Sequence, residues 1–445
     1  MDEPSMEVDT DAYREGSELD AQAQDIEKVT GDAVENIEVS EQNVYVYPSL
    51  FTSKTLLELS NSTWSRSKRA RADVQPYLRG CKWSPDGTCC LAVVNNDGVH
   101  VTELSKDLYS GNVTTDRTID IMDSVIHVKE SGLVYDFCWY PAMNSSVPET
   151  CCYYFSWLTT KKNAPIQMWD AFDGSLRCTY RGFSEVDEME PAYSLTFTPD
   201  GSQIIAGYRS CLRTFNVERP GRDYGEHYIT STASCIDTND NCNLVAVGSW
   251  NSSISLFNIN EMGTYKSVGK MHGHGAGVTQ VKFTSDGLHL ISGARKDHRL
   301  LVWDIRYYRT PLNVLTRHVD TNQRVQFDIS PCGKYLVSGG TDGIIKVWDE
   351  NHVKWRTSLN YTEDNEDNAT YKFPLHRDSC NSVSIHPIRP IIATGSGQYH
   401  MVDPITDDND ESNDKEQSET KDMKYSEVTE NCLVFWWIGD VPDLT

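Results

Sequence analysis

Seven times along the chain, a run of alternating apolar residues breaks at a short turn and a second apolar run follows. The turns are SPDG (84–87), YPAM (140–143), TPDG (198–201), TNDN (238–241), TSDG (284–287), SPCG (330–333) and HPIR (386–389). Measured between positions 85, 141, 199, 240, 285, 331 and 387, the steps are 56, 58, 41, 45, 46 and 56. A third apolar strand with an aromatic near its end closes six of the units: PIQMWDAF, CLRTFNV, ISLFNI, LLVWDIR, IIKVWD and CLVFWWI. The first unit has the weaker VHVTEL in that place. Period-two alternation bounded by Gly, Pro and Asp reads as short strands. A fixed period makes each unit one supersecondary block that buries its apolar face only by stacking on its neighbours.

Two units carry a finer pattern. In the fifth, Gly273-His274 precedes VTQVKFTSDG, and Ser292, Asp297 and Trp303 follow. In the sixth, Ser338, Asp342 and Trp348 repeat the interval, with six residues from Asp to Trp in both. The short steps match the roughly 40–45-residue blade of a WD-repeat propeller, and the two units resemble the WD-repeat family. That resemblance gives His274, Ser292, Asp297, Trp303, Ser338, Asp342 and Trp348 a structural task, hydrogen bonding across a blade. The expected fold is therefore all-β: a seven-bladed WD-repeat β-propeller over residues 44–440. Each blade has four strands, yet only GDVPDLT follows the last aromatic strand. The closing strand must come from the N-terminal side, with VYVYPSLF (44–51) the first choice and LLELSNSTW (56–64) the second.

Charge divides the rest. The net charge is −25, but residues 1–43 hold 14 acids against 2 bases and residues 403–430 hold 11 against 3. The remainder is close to neutral. Few aromatics and no periodicity predict a disordered acidic tail (1–43) and a disordered acidic loop inserted in the last blade (403–430). Residues 441–445 form a short C-terminal tail. No apolar run reaches the roughly 18 residues of a membrane span, and the acidic N-terminus is unlike a secretory signal. An intracellular monomeric propeller that does not enter a membrane is expected. The 13 cysteines include no CxxC pair and read as reduced core residues. HGHGAG precedes a strand rather than a helix, so it is no phosphate loop. With no HExxH, Walker or nucleophile motif present, no enzyme, cofactor or metal is expected.

Several stretches are more specific than the repeat. LRGCKWSPDGTC (78–89), PIQMWDAFDGSLR (165–177), FTPDGSQIIAGY (197–208), ERPGRD (218–223), SGARKD (292–297) and TNQRVQFDISPCGKYLVSGGTDG (321–343) together resemble the telomerase Cajal body protein family, most clearly over 78–349. These are WD-repeat subunits of small Cajal body ribonucleoproteins. The resemblance implies a noncatalytic scaffold that binds a short loop box in small Cajal body guide RNAs and in telomerase RNA. It also implies contact with ribonucleoprotein core proteins and Cajal body scaffold proteins, and residence in the Cajal bodies of the nucleus. The guide-RNA role does not depend on the organism's telomere system. A protein-only scaffold, such as a chromatin adaptor or ubiquitin-ligase substrate receptor, is the alternative the fold leaves open.

In a propeller, the loops from second to third strand and from fourth strand to the next blade share one face, here called the top. Arg295 and Lys296 fall in such a loop, as do Lys161 and Lys162 near Trp157, Tyr208 with Arg209, and Trp250 with Asn251. Gln323 and Arg324 fall in the other kind. Cations and aromatics on one surface suit an unpaired RNA, whose bases stack on aromatic or Arg planes. The resemblance adds weight to Arg295, Lys296 and Arg324 in particular. SRSKRAR (65–71), with Arg66, Lys68, Arg69 and Arg71, reads as a nuclear import signal or a basic top loop.

Overall fold

In a computed structural model, the described residues are 50–64, 75–111, 113–114, 116–130, 132–145, 156–239, 243–260, 264–356, 367–400 and 430–440. They form seven four-stranded antiparallel blades, the last extended by a short fifth strand. Each blade is named from its innermost strand outward. Blade 1 is Leu78–Trp83, Cys89–Val94, Gly98–Glu103 and Ile126–Lys129, and blade 5 is Val278–Phe283, His289–Ala294, Arg299–Asp304 and Asn313–Thr316. The predicted first turns lie between first and second strands. At SPDG, TPDG, TSDG and SPCG the glycine takes a φ of 73°, 71°, 69° and 68°, the left-handed conformation that glycine adopts without a Cβ clash.

The core is a ring. Seven apolar clusters fill the interfaces between neighbouring blades; one packs Leu91, Val93 and Val101 of blade 1 against Phe137, Trp139 and Trp157 of blade 2. Alternating strands bury both faces because each blade has a neighbour on either side. Inner-strand side chains add polar ties. Asp136 accepts from Leu195 N (3.1 Å), Asp237 from Phe283 N (2.7 Å) and Asp328 from Ile385 N (2.7 Å), each joining one blade to the next.

The ring closes from the N-terminal side, as expected, but with the second-choice segment. Leu57–Thr63 pairs antiparallel with Cys432–Trp437, from Leu57↔Trp437 to Thr63↔Cys432. Of the first choice, residues 44–49 lie outside the described residues. Its last two, Leu50 and Phe51, wedge between blades 6 and 7 instead of pairing as a strand. The Phe51 ring lies 5.6 Å from Tyr335 and 5.9 Å from Phe373, and its N–H reaches Ile438 O at 2.8 Å. The apolar density of 44–51 was misleading: an outermost strand has one half-exposed face, so the more polar LELSNST suffices.

The hydrogen-bond relay expected in blade 5 is present. His274 meets Asp297 Oδ2 (2.9 Å) and Ser292 Oγ (2.8 Å), and Trp303 Nε1 donates to Ser292 Oγ (2.8 Å). Blade 6 departs from expectation. There the buried Arg317 guanidinium bonds Ser338 (3.1 Å), Trp348 donates to Asn368 (3.0 Å), and Asp342 only caps its own turn through Ile344 N (3.2 Å). A second relay occurs in blade 7. His376 and Trp436 both bond Thr394 Oγ1 at 2.7 Å, and Glu430 stands 3.3 Å from His376 Nδ1. Burial pushes the Glu430 carboxyl up, but hydrogen bonding from His376 outweighs it and leaves the group below its ordinary range. Glu430 precedes Trp436 by six residues, the Asp297–Trp303 interval. The acidic insertion therefore ends at 429: its last residue as predicted, Glu430, belongs to the blade.

Residues 1–43, 401–429 and 441–445 and the SRSKRAR stretch lie outside the described residues. The ten described cysteines are unpaired. No described helix is long and apolar enough to cross a membrane.

Candidate nucleic-acid interface

At the top of the central channel, a cavity of about 380 Å³ is lined by residues from blades 1 to 7. Its lining follows from a repeated irregularity. The first strands of blades 1, 2, 4, 5 and 7 each bulge near their upper ends, at Leu78/Gly80, Val134/Asp136, Ala233/Cys235, Val278/Gln280 and Cys380/Ser382. The residues within those bulges, Arg79, Tyr135, Ser234, Thr279 and Asn381, all line the cavity. A bulge places an extra residue in one strand and re-aims its side chain, which here turns five side chains into the mouth. Tyr193 enters from the start of blade 3 and Arg324 from the approach to blade 6.

Aromatic rings cross the mouth in a row. Tyr135 and Tyr193 have centroids 5.2 Å apart, Tyr193 and Trp250 5.3 Å, and the Arg295 guanidinium lies 5.5 Å from the Trp250 ring. Trp250 is 46% exposed, so its ring is open to a ligand. Arg79, Arg295 and Arg324 line the cavity, and among the described residues no Asp or Glu does. Burial lowers the Arg79 pKa, as it does that of Arg295, where the Arg324 charge adds to the effect. Burial also pulls Arg324 down, but the Asp136 carboxylate outweighs it and holds the group above its ordinary value. A guanidinium stays charged throughout the physiological range. The Arg295 Nε is buried without a hydrogen-bond partner among the described residues. The mouth of a strongly acidic chain is thus a concentrated positive site with stacking surfaces.

The predicted site residues divide. Arg295 and Trp250 lie in the mouth. Lys296 stands exposed at the rim, its N–H on Thr321 O at 3.2 Å, while Asp297 fixes the turn by accepting from Arg299 N at 3.0 Å. Lys162 and Arg209 are exposed. Three expectations need correction. Tyr208 is only 1% exposed and lies under the Arg213 guanidinium, 4.3 Å away, so it offers no stacking face. Lys161 is bound to the buried Glu130 carboxylate, and Trp157 is a core residue of blade 2. Arg324 does reach the channel, but it is engaged with Asp136 Oδ1 (2.9 Å) and Ser234 O (3.1 Å), bracing blades 2, 4 and 6. Sequence reasoning missed Arg79, Tyr135 and Tyr193. Their signal was present: each stands within two residues of the start of a first strand, where a bulge turns Arg79 and Tyr135 inward and Tyr193 precedes the regular first strand of blade 3.

The WD domain, G-beta repeat family matches residues 265–304 and 309–349, the two units whose pattern was strongest. Over 412 residues, the chain is 41% identical to the telomerase Cajal body protein 1 homolog of Drosophila melanogaster, covering 90% of this chain and 72% of the fly protein. The chain belongs to the telomerase Cajal body protein family. Within this family it is 36% identical over 375 residues to telomerase Cajal body protein 1 of Homo sapiens, covering 82% of this chain and 65% of the human protein. It is more distantly similar to guanine nucleotide-binding protein negative regulator 1 of Schizosaccharomyces pombe, 27% identical over 311 residues, covering 62% of this chain and 73% of that protein. The similarity thus extends well beyond the 78–349 span where the motifs are densest.

Proposed function

We propose that the protein is a noncatalytic RNA-binding scaffold, which takes a short unpaired loop of a small Cajal body guide RNA into the top of its channel and retains the ribonucleoprotein in Cajal bodies. Telomerase RNA is a second candidate of the same kind. Nuclear residence, and contact with ribonucleoprotein core and Cajal body scaffold proteins, belong to the same reading. One observation carries it: three guanidiniums and a row of aromatic rings line one mouth that, among the described residues, no carboxylate lines. A cavity of about 380 Å³ falls in the roughly 300–1,000 Å³ range of small-ligand sites, room for a splayed nucleotide but not for a duplex. Arg295 and Arg79 supply planar donors for phosphate or base edges, Trp250 and the tyrosines supply faces, and Lys296, Lys162 and Arg209 supply outer phosphate contacts. The names of the relatives point to telomerase and Cajal bodies and so to this class of partner.

The test is binding of a guide-RNA loop and a scrambled loop at several salt concentrations, with melting curves for every variant. Trp250→Ala should lose about 1–3 kcal/mol, one stacked base. Arg295→Lys should lose affinity although the charge is kept, because Lys lacks the planar fork. Lys296→Ala should flatten the salt dependence by about 0.7 if it meets one phosphate of a single strand. Arg324→Ala is a poor probe, since it strands Asp136. Wild-type binding by folded Trp250→Ala, Arg295→Ala and Arg79→Ala would eliminate the channel mouth and favour a protein-only scaffold.

A further inference from the structure

Away from the channel, three donors converge on the outer half of blade 1. Asp97 sits in the turn between second and third strands, which Asn96 and Gly98 form at φ of 58° and 122°. His100 follows on the third strand, and His127 lies directly opposite it on the fourth. His100 Nε2 lies 3.0 Å from the Asp97 carboxylate, and His127 Nε2 lies 3.1 Å from the Asp97 carbonyl oxygen and 3.5 Å from its carboxylate. The rings are stacked with centroids 4.1 Å apart. His100 Nδ1 lies 2.8 Å from Ser124 Oγ, and the Trp64 ring meets His100 edge-on at 5.2 Å.

We propose that Asp97, His100 and His127 form a binding site for a zinc-class divalent cation. All three donor atoms lie within 4.8 Å of one another. With metal–nitrogen and metal–oxygen bonds of about 2.0–2.2 Å, donors around a tetrahedral ion stand about 3.3–3.5 Å apart. The two His–Asp separations bracket that spacing. Two imidazoles and one carboxylate are the donor set of three-ligand zinc sites, which leave a fourth position for water. The outer partner is present too: a metal-bound histidine hands its other ring nitrogen to an oxygen that fixes its tautomer, and Ser124 stands where His100 requires it. His127 is partly exposed, with 29% of its side-chain surface accessible, so its ring can turn to aim its in-plane lone pair at the ion. The bound cation would tie the top turn of blade 1 to its outermost strand, beside Trp64, where the ring-closing strand ends. Linear spacing gives no warning of this, because His127 comes 27 residues after His100 and only the strand register brings them together.

The experiment uses the full chain, stripped with a chelator, and Co²⁺ as the probe. Wild type should bind one equivalent, with a visible d–d band that Zn²⁺ displaces, and both ions should raise the melting temperature by mass action. Trp64 emission should be quenched, and the quench should disappear in Trp64→Phe. His127→Gln should melt like the metal-free wild type and bind Co²⁺ at least tenfold more weakly, without the rise. The proposal fails if wild type shows neither band nor rise, or if folded His127→Gln keeps both. A thiolate-to-cobalt charge-transfer band would also overturn it, since that places the ion at Cys432 and His376.

Discussion

The join between blades 7 and 1 should weaken on mild acidification through one imidazole. His386 is buried in the HPIR turn, with its Nε2 2.8 Å from Gly87 O on the bottom turn of blade 1. Its Nδ1 accepts from Ile388 N (3.0 Å) and Arg389 N (2.8 Å). Nδ1 therefore has no room for a proton, and burial drives the group down from 6.5 to about 4. The unfolded chain binds the proton first, so between pH 6.5 and 4 it holds more protons than the folded state, and stability rises with pH. The contribution is complete above 6.5 and is lost as pH falls to about 4. Two and a half pH units at 1.36 kcal/mol each give about 3 kcal/mol. At about 2.1 cal/mol/K per residue over roughly 320 ordered residues, that is a fall of about 4–5 °C in melting temperature. His386→Asn keeps an acceptor for the two amides and removes the titration, at a pH-independent cost of about 1 kcal/mol for the lost Gly87 contact. Melting followed by near-ultraviolet circular dichroism from pH 7.5 to 4.5 should show wild type ahead at neutral pH and losing its lead as the medium acidifies. A constant gap between the two proteins across that range would refute the assignment.

Three further outcomes follow from the ring. Trp303→Ala should destabilise the protein by about 3–5 kcal/mol and Asp297→Ala by about 1–3 kcal/mol, read as lower melting temperatures; full stability with lost RNA binding would transfer either residue to the binding site. Deleting residues 1–43 should leave the melting temperature nearly unchanged, whereas deletion through residue 64 should lower it sharply, because Leu50, Phe51 and the closing strand go with it. Replacing 403–429 by a short Gly-Ser linker should preserve folding, since loop closure depends weakly on length, and extending the replacement through Glu430 should lower the melting temperature by removing the carboxylate beside His376.

The architecture was legible because a propeller blade repeats its chemistry. The turn glycines need positive φ, the inner strands need apolar residues on both faces, and each unit supplies both at a recognisable interval. What escaped was whatever an insertion or a substitution displaces. Glu430 keeps its six-residue distance from Trp436, but the acidic segment before it hides the match, and Thr394 stands where blade 5 has Ser292. In blade 6 the residues of the pattern are present but the relay is not, because Arg317 from the preceding blade takes the serine. A spacing rule describes one blade at a time and cannot register a side chain arriving from the one before.

The same limit governs the mouth. Placing residues by loop put Arg295, Lys296 and Trp250 on the top face, and there the structure has Arg295 and Trp250 lining the mouth and Lys296 exposed at its rim. It gave Lys161 and Tyr208 wrongly, since a position at a strand end can be claimed by a buried partner such as Glu130 or Arg213. The deeper lining comes from strands, where alternation assigns each side chain to one blade interface or the other. A bulge suspends that alternation for one residue and re-aims its side chain toward the upper end of the channel. Arg79, Tyr135, Ser234, Thr279 and Asn381 occupy that position in five blades. Ser234 and Asn381 are buried there and tie their blades to the next through Val278 O and Leu78 O, whereas Arg79 and Tyr135 are only half-buried and present more of their side chains to the mouth. A second top-face binding chemistry on this scaffold would therefore be sought first in Arg79 and Tyr135, and only then in the longer loops around them.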